Sequence, residues 1–294
     1  MKKFHHIVLY ARQRRFTSEI YETLKRLMIY LKQNKSMQVF LEAETAQHFN
    51  DLSLPIADFN TNKIQYDLII VVGGDGSLLG ASRLAVQKDI PIIGINRGRL
   101  GFLTTILPSE IEKELEDVLQ GKYEEEHRFL LQAEIQDEHH QVIATKLALN
   151  DIVLRQEAPA MIEFKVFDYK TLISSYRADG LIVATPTGST AYALSGGGPI
   201  LHPTMDAVAL VPMFHHTLSS RPLVLSIPHS LRIYFESNQS SAHLISDGDD
   251  RLIVEPGQWI CIKKYPRKVR LLQPLSYNYY ETLRSKLGCE ALNF

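Results

Sequence analysis

Residues Leu68-Ile69-Ile70-Val71-Val72 form an unbroken apolar run that stops abruptly in Gly73-Gly74-Asp75-Gly76-Ser77. A short run rich in β-branched residues is how a strand covered on both faces of a parallel sheet reads. Residues 77 to 88 then fit a helix with Leu78, Leu79, Ala81 and Leu84 as inward positions. Strand, glycine turn and helix together put the turn at the carboxyl end of a strand, where open α/β sheets bind their ligands.

The turn itself points to phosphate chemistry. Glycines at 73, 74 and 76 permit positive φ and close approach of a ligand to the backbone. Backbone N–H groups there, with Ser77 and the helix N-terminus behind them, offer a cradle for phosphate oxygens. A carboxylate inside such a cradle repels phosphate. Asp75 therefore reads as a ligand of Mg²⁺ or as a base taking a proton from a hydroxyl beside the phosphates. The competing reading is an Asx-turn residue that only shapes the loop. The dinucleotide fingerprint G-x-G-x-x-G is not met, because the glycines fall at 74, 76 and 80, and no Gly-Lys-Ser or Gly-Lys-Thr occurs.

Composition excludes several other classes. Lys plus Arg total 32 against 33 Asp plus Glu, so no charge excess points to nucleic acid or an acidic membrane. No apolar run approaches the ~18 to 20 residues of a membrane span, and Met1-Lys2-Lys3-Phe4 leads into a strand without a signal-peptide core. Two cysteines, Cys261 and Cys289, make neither a disulfide framework nor a Cys-based metal site. A cytoplasmic location is the expectation.

In chain order, Ile7 to Tyr10 reads as a strand. Phe16, Ile20, Leu24, Leu27, Met28 and Leu31 recur at helical spacing, Met37 to Leu41 is a second strand, and 43 to 50 a weak helix. After the central strand and its helix, Ile90 to Ile95 is the next strand. Alternating strands and helices mean βαβ units in a parallel, Rossmann-like α/β domain over residues 1–125. Asn96 to Leu103 follows as a shaped loop whose Arg97 or Arg99 is placed to meet phosphate. Ser109 and Glu112 read as a capping box for a helix with Ile111, Leu115, Val118 and Leu119 inward and Gly121 at its end.

Beyond residue 127 the period changes to two, as in Ile162-Glu163-Phe164-Lys165-Val166 and Leu231-Arg232-Ile233-Tyr234-Phe235. Further short strands are expected at 129–135, 142–154, 172–176, 181–184, 222–227, 252–254, 259–263 and 268–272. This predicts an antiparallel, sandwich-like domain over 126–275. Tyr280, Leu283 and Leu287 then share one face of a helix closed by Gly288, so residues 276–294 are expected to return to the first domain and cover that stripe.

Three stretches of the second half carry polar chemistry. A strand at 181–184 enters Thr185-Pro186-Thr187-Gly188-Ser189-Thr190, and Gly196-Gly197-Gly198-Pro199 breaks the short helix that follows. Ser189 or Thr190 fits a helix N-cap; alternatively the segment is a polar cradle for sugar hydroxyls or phosphate. Asn150-Asp151 fits a β-turn by pattern; an amide beside a carboxylate is also the chemistry that grips a vicinal ribose diol. Asp247-Gly248-Asp249-Asp250 reads as a hairpin turn, with an acidic binding role as the lesser alternative. The pairs His5-His6, His139-His140 and His215-His216 lack metal-ligand spacing, and Gly-x-Ser-x-Gly is absent.

Together these stretches resemble the bacterial NAD kinase family. The matching pieces are Gly73-Gly74-Asp75-Gly76-Ser77, Asn96-Arg97-Gly98-x-Leu100-Gly101-Phe102-Leu103, Asn150-Asp151, Arg177-x-Asp179-Gly180 through Gly198-Pro199-Ile200, Asp247-Gly248-Asp249, and Leu283 to Gly288. The resemblance covers essentially the whole chain. It implies transfer of the γ-phosphoryl of ATP, or of polyphosphate, to the 2′-hydroxyl of the adenosine ribose of NAD, with Mg²⁺ or another divalent metal. It also implies a homodimer or homotetramer. By position, Asp75 is the implied base and Gly76 a backbone contact to NAD. Asn150 and Asp151 hold ribose or adenine groups, and Thr190, Ala191, Tyr192 and Ser195 line the pocket. Arg177 and Asp179 complete it across a subunit interface, and Asp249 takes a place where relatives often carry glutamine. Gly73, Gly74, Gly76, Ser77 and Arg97 are the implied phosphate contacts. Ala160 stands where some relatives have histidine, so that contact is missing. A Gly-Gly-Asp-Gly turn also occurs in lipid and sugar kinases, and a non-catalytic NAD(P) sensor is the rival from outside enzymology.

Overall fold

The computed structural model describes residues 4–288 except 12–16, 34–35, 50–52, 62, 98–100, 157–160, 215–220, 228–229 and 237–238. The chain divides into two compact units, residues 1–127 with 269–294, and residues 128–268.

In the first unit, parallel strands lie in the order Gln38–Leu41, His6–Tyr10, Leu68–Val72, Ile92–Ile95. All five residues of Leu68–Val72 are buried, because neighbours cover both faces of this central strand. Strand Trp259–Pro274 adds its last residues beside Ile92, pairing in parallel through Leu271. Helix Ser18–Lys32 buries Ile20, Leu24, Leu27 and Leu31, the stripe its spacing predicts; Phe16 lies outside the described residues. Helix Asp75–Lys88 begins directly after the glycine turn and buries Leu78, Leu79 and Ala81, with Ala85 and Val86 rather than Leu84 completing its inner face.

Two local expectations fail. Helix Ile111–Leu119 has no capping box, since its N-cap is Glu110 with no side-chain bond. The Glu112 carboxylate instead receives the Arg26 guanidinium, and Arg26 also donates to the Pro108 carbonyl at 2.7 Å. A charge-assisted partner outcompetes the neutral cap. The last helix, Tyr279–Leu287, is capped by Asn278 and closed by Gly288 at φ 66. Its inward residue is Thr282, whereas Tyr280 and Leu287 are 58% and 37% exposed. Tyr279, three positions before Thr282, sets its ring 6.4 Å from that of Phe102, so the packed face is rotated from the expected one.

The second unit is a β-sandwich. One sheet runs Leu223–Leu225, Val208–Met213, Gly180–Ala184, Asp151–Arg155, Ala242–Ser246, Asp250–Val254, antiparallel throughout. The other contains the first residues of Trp259–Pro274 with Leu231–Phe235, Ile162–Asp168 and Thr171–Ala178. The hairpin of Tyr123–Gln136 and Val142–Ala148 joins it. Phe164, Ile233 and Ile260 from one sheet meet Leu154, Leu181 and Leu244 from the other.

Strands Val208–Met213 and Ala242–Ser246 are absent from the sequence reading. The first lacks polar alternation because Ala193 and Leu201 cover its outer side. The segment 142–154 is two strands broken at Leu149-Asn150, and 259–263 with 268–272 are one strand. Residues 269–275, expected with the β-rich domain, fall in the first unit.

Candidate functional site

The glycine turn is built as a positioned carboxylate. Gly73 takes φ 154 and donates its N–H to Ile95, which folds the chain off the strand. Gly74 is the N-cap and Asp75 the first helical residue, where the helix dipole favours a negative charge. Asp75 Oδ1 accepts from Leu103 N at 3.1 Å, Thr104 N at 3.0 Å and Thr104 Oγ1 at 2.9 Å, and Oδ2 accepts from Phe102 N at 2.9 Å. Asn96 steadies this arrangement by donating to Thr104 Oγ1 at 2.7 Å. Gly101 is required for the close approach, because a Cβ there would lie 2.1 Å from Asp75 Oδ1. Three donors on Oδ1 against one on Oδ2 leave Oδ2 with capacity for a further donor. Gly76 is exposed, with no atom within 4 Å of where a Cβ would be. Ser77 is buried, and Arg97 pairs with the exposed Glu19 at 2.8 Å. Arg99 lies outside the described residues.

In the second unit the Asn150-Asp151 corner is held from two sides. The Asp247 carboxylate accepts from three consecutive backbone N–H groups, Leu149 at 3.0 Å, Asn150 at 2.8 Å and Asp151 at 3.3 Å. From the other side Thr185 donates its hydroxyl to the Leu149 carbonyl at 2.5 Å and its N–H to the Asn150 carbonyl at 2.8 Å. Gly188 packs its bare Cα against the Asn150 carbonyl. Buried Arg128 reaches Thr187 of the same loop at 3.3 Å. The corner's backbone is thus satisfied internally, which leaves its side chains for other work. Asn150 Oδ1 is buried and has no hydrogen-bond partner among the described residues.

Burial, with the neighbouring Asp247 charge adding to it, pushes the Asp151 carboxyl up to about 7. The folded chain then holds this proton between about pH 4 and 7, where the unfolded chain has lost it. Stability from this group is therefore lost as pH rises through that window and is level above it. Asp151→Asn should flatten the pH dependence by about 2 to 3 kcal/mol between pH 5 and 8, as measured by urea unfolding of both proteins.

Asn150, Asp151, Ala191, Tyr192 and Asp247 line a cavity of about 410 Å³ together with Val153, Arg155, Ile245, Gly248 and Arg251. Asp247 to Asp249 do make the expected hairpin turn, between Ala242–Ser246 and Asp250–Val254, but it is Asp247, not Asp249, that faces the cavity. Neither Ser189 nor Thr190 is an N-cap. Ser189 Oγ donates to the Pro186 carbonyl at 2.6 Å and accepts from Leu201 N at 3.0 Å, tying the loop to the chain beyond the glycines. Thr190 Oγ1 donates to the Thr187 carbonyl at 3.3 Å. Ser195 is exposed at the end of the short helix Tyr192–Ser195. Arg177 and Asp179 are not in the cavity wall; Arg177 is exposed, with Nε 3.6 Å from Glu163. Ala160 lies outside the described residues. Arg155 and Arg251 are not among the residues the sequence singles out, although period two puts Asp151, Val153 and Arg155 on one strand face. Among the described residues no three His, Cys, Asp or Glu side chains are grouped to hold a metal, and no helix is long and apolar enough to cross a membrane.

Comparison with known proteins bears on both units. Residues 11–123 match the ATP-NAD kinase N-terminal domain and residues 149–273 the ATP-NAD kinase C-terminal domain. The NAD kinase of Legionella pneumophila (strain Paris) is 49% identical over 292 residues, 99% of this chain and 98% of that protein. The NAD kinase of Coxiella burnetii (strain RSA 493) is 47% identical over 271 residues, 92% of this chain and 90% of that protein. Among solved structures, an NADH kinase of yeast complexed with NADH shares the fold at TM-score 0.84 and 24% identity, covering 99% of this chain and 89% of the other. An NAD kinase from Archaeoglobus fulgidus in complex with ATP aligns at TM-score 0.69 and 25% identity, covering 97% of this chain and all of the other. The chain belongs to the NAD kinase family.

Proposed function

We propose that this protein phosphorylates NAD at the 2′-hydroxyl of its adenosine ribose, with ATP as donor, giving NADP. The carrying observation is Asp75, a carboxylate fixed by four hydrogen bonds at the head of a helix with Oδ2 left able to accept one more. A ribose hydroxyl is almost un-ionised at neutral pH, so a positioned carboxylate that takes its proton as attack develops contributes about 10²- to 10⁴-fold. Phosphoryl transfer otherwise needs positioning and charge neutralisation. The backbone turn at Gly73, Gly74 and Gly76, with Ser77 and Arg97, is the proposed phosphate contact that supplies part of that.

The donor set also fits a divalent ion such as Mg²⁺. One carboxylate beside a phosphate cradle is its usual protein complement, the other ligands being phosphate oxygens and water. When bound, the ion neutralises phosphate charge. Asp75 would be its protein ligand where the ion, in place of the ribose hydroxyl, takes the remaining lone pair of Oδ2.

Recognition of the dinucleotide falls to the second unit. Asn150 and Asp151 grip a ribose or adenine through one amide and one carboxylate, and Thr190, Ala191, Tyr192 and Ser195 line the pocket. Arg177 and Asp179, which do not face the cavity of their own chain, serve the pocket of a second copy in a homodimer or homotetramer. Asp249 lies beside the cavity as a polar rim. A cytoplasmic location accords with a nucleotide substrate.

The test is incubation with MgATP and NAD, with NADP followed by an NADP-specific dehydrogenase. NADP formation is expected. Binding of NAD without NADP, across a range of metals and phosphoryl donors, would favour a sensor instead.

A further inference from the structure

The cavity described above is polarised along one face of a sheet. Strand register sets Val153 opposite Ile245 and Ile245 opposite Arg251, so these three form one row across adjacent strands. Asp151 lies one row toward the Asp247 turn and Arg155 one row the other way, opposite His243. At ~3.3 Å per residue, Asp151 and Arg155 are separated by about 13 Å along the strand. The wall therefore runs from the Asn150, Asp151 and Asp247 polar groups, across an apolar floor of Val153 and Ile245 flanked by Arg251, to the Arg155 guanidinium.

Arg155 is the unusual member. It is partly buried, yet its side chain makes no hydrogen bond or ion pair with any described residue. An unpaired guanidinium on a cavity wall keeps its fork of donors available, and an anion can take two of them at once. The neighbouring strand makes room for it. Gly180 lies opposite Arg155, and a Cβ at 180 would come within 3.0 Å of Arg155 Cβ and 2.4 Å of the Leu154 carbonyl oxygen. Arg251, one strand further on and more exposed, lines the same cavity.

We propose that Arg155, assisted by Arg251, forms an anion subsite that binds a phosphoryl group of the dinucleotide whose nucleoside is held by Asn150 and Asp151. The subsite rests on the reading of this cavity as the dinucleotide pocket. A planar fork matches two phosphate oxygens at once, which an ammonium cannot do. The phosphoryl group has two possible sources, the pyrophosphate bridge common to NAD and NADP or the 2′-phosphate found only in NADP.

Both sources and the subsite itself are tested by calorimetric titration of NAD and of NADP into wild type, Arg155→Gln and Arg155→Lys, each at low and high salt, with kcat and KM measured alongside. Arg155→Gln should weaken binding about 10- to 100-fold, the loss of a charge-assisted pair, with kcat changed less than about threefold. Its affinity should also lose most of the salt dependence seen in wild type, and Arg155→Lys should recover part of the loss. Weakening of both ligands assigns the pyrophosphate, and weakening of NADP alone assigns the 2′-phosphate. Unchanged affinity in Arg155→Gln, or a loss that keeps the wild-type salt dependence and is not eased by lysine, overturns the subsite while leaving the pocket intact. Wild type that binds neither ligand overturns the pocket reading and the subsite with it.

Discussion

Asp75→Asn is expected to lose about 10²- to 10⁴-fold in kcat while keeping its fold and most of its affinity for NAD. The amide is isosteric with the carboxylate, so its oxygen can occupy the Oδ1 position and keep the donors from Leu103 and Thr104. Its NH₂ then takes the Oδ2 position and faces Phe102 N–H, leaving that donor unpaired at a cost of about 1 to 3 kcal/mol. Loss of stability should stay within that range, because Gly101 and Asn96 still shape the loop. The proton acceptor, however, is gone. Steady-state kinetics beside thermal unfolding separates the two roles of this side chain. A variant with near wild-type turnover would make Asp75 a loop clamp only; a variant that fails to fold would make the clamp dominant, and Asp75→Glu with partial turnover would then be the discriminating protein.

These two roles explain what was legible in the sequence and what was not. The apolar run 68–72 and the glycines after it depend on local chain stiffness and burial, which adjacent residues reveal. The donors that hold Asp75 come from residues 27 to 29 positions away, and nothing in local spacing announces them. The same holds in the second unit. Asn150-Asp151 was visible as a pair, but Asp247, which accepts from the N–H groups of both residues and of Leu149, is 96 to 98 residues distant and read as an ordinary turn residue. Ser189 and Thr190 looked like caps because their local options are cap-like; the loop that closes on Leu201 gives Ser189 a better one. Strand Val208–Met213 was missed for a different reason. With both faces covered it has no alternation to detect, and Pro212 interrupts its apolar run, which the equally buried strand Gly180–Ala184 does not suffer.

Gly188→Ala should produce the largest loss of recognition without touching a ligand group. A Cβ at 188 would lie 2.1 Å from the Asn150 carbonyl oxygen, 2.4 Å from its carbon and 2.7 Å from Asn150 Cα. These are backbone atoms, so no rotamer change relieves the clash; either the 187–190 loop retreats or the corner moves. The loop is fastened through Ser189 to Leu201 and Pro186, and the corner through Asp247, so neither yields freely. The expected destabilisation is about 1 to 3 kcal/mol, the usual cost of overpacking. A shift of even about 1 Å in groups that position a substrate carries a penalty near 10²-fold, so NAD affinity should fall by more than about tenfold. Gly121→Ala provides the comparison. Gly121 has φ 86 at the end of a helix in the other unit, and alanine there costs about 1 kcal/mol with no effect on the corner. KM for NAD, measured for both variants well below their unfolding temperatures, should rise in Gly188→Ala alone. An equal rise in both would mean that KM follows global stability and that the Asn150-Asp151 corner is not what the dinucleotide recognises.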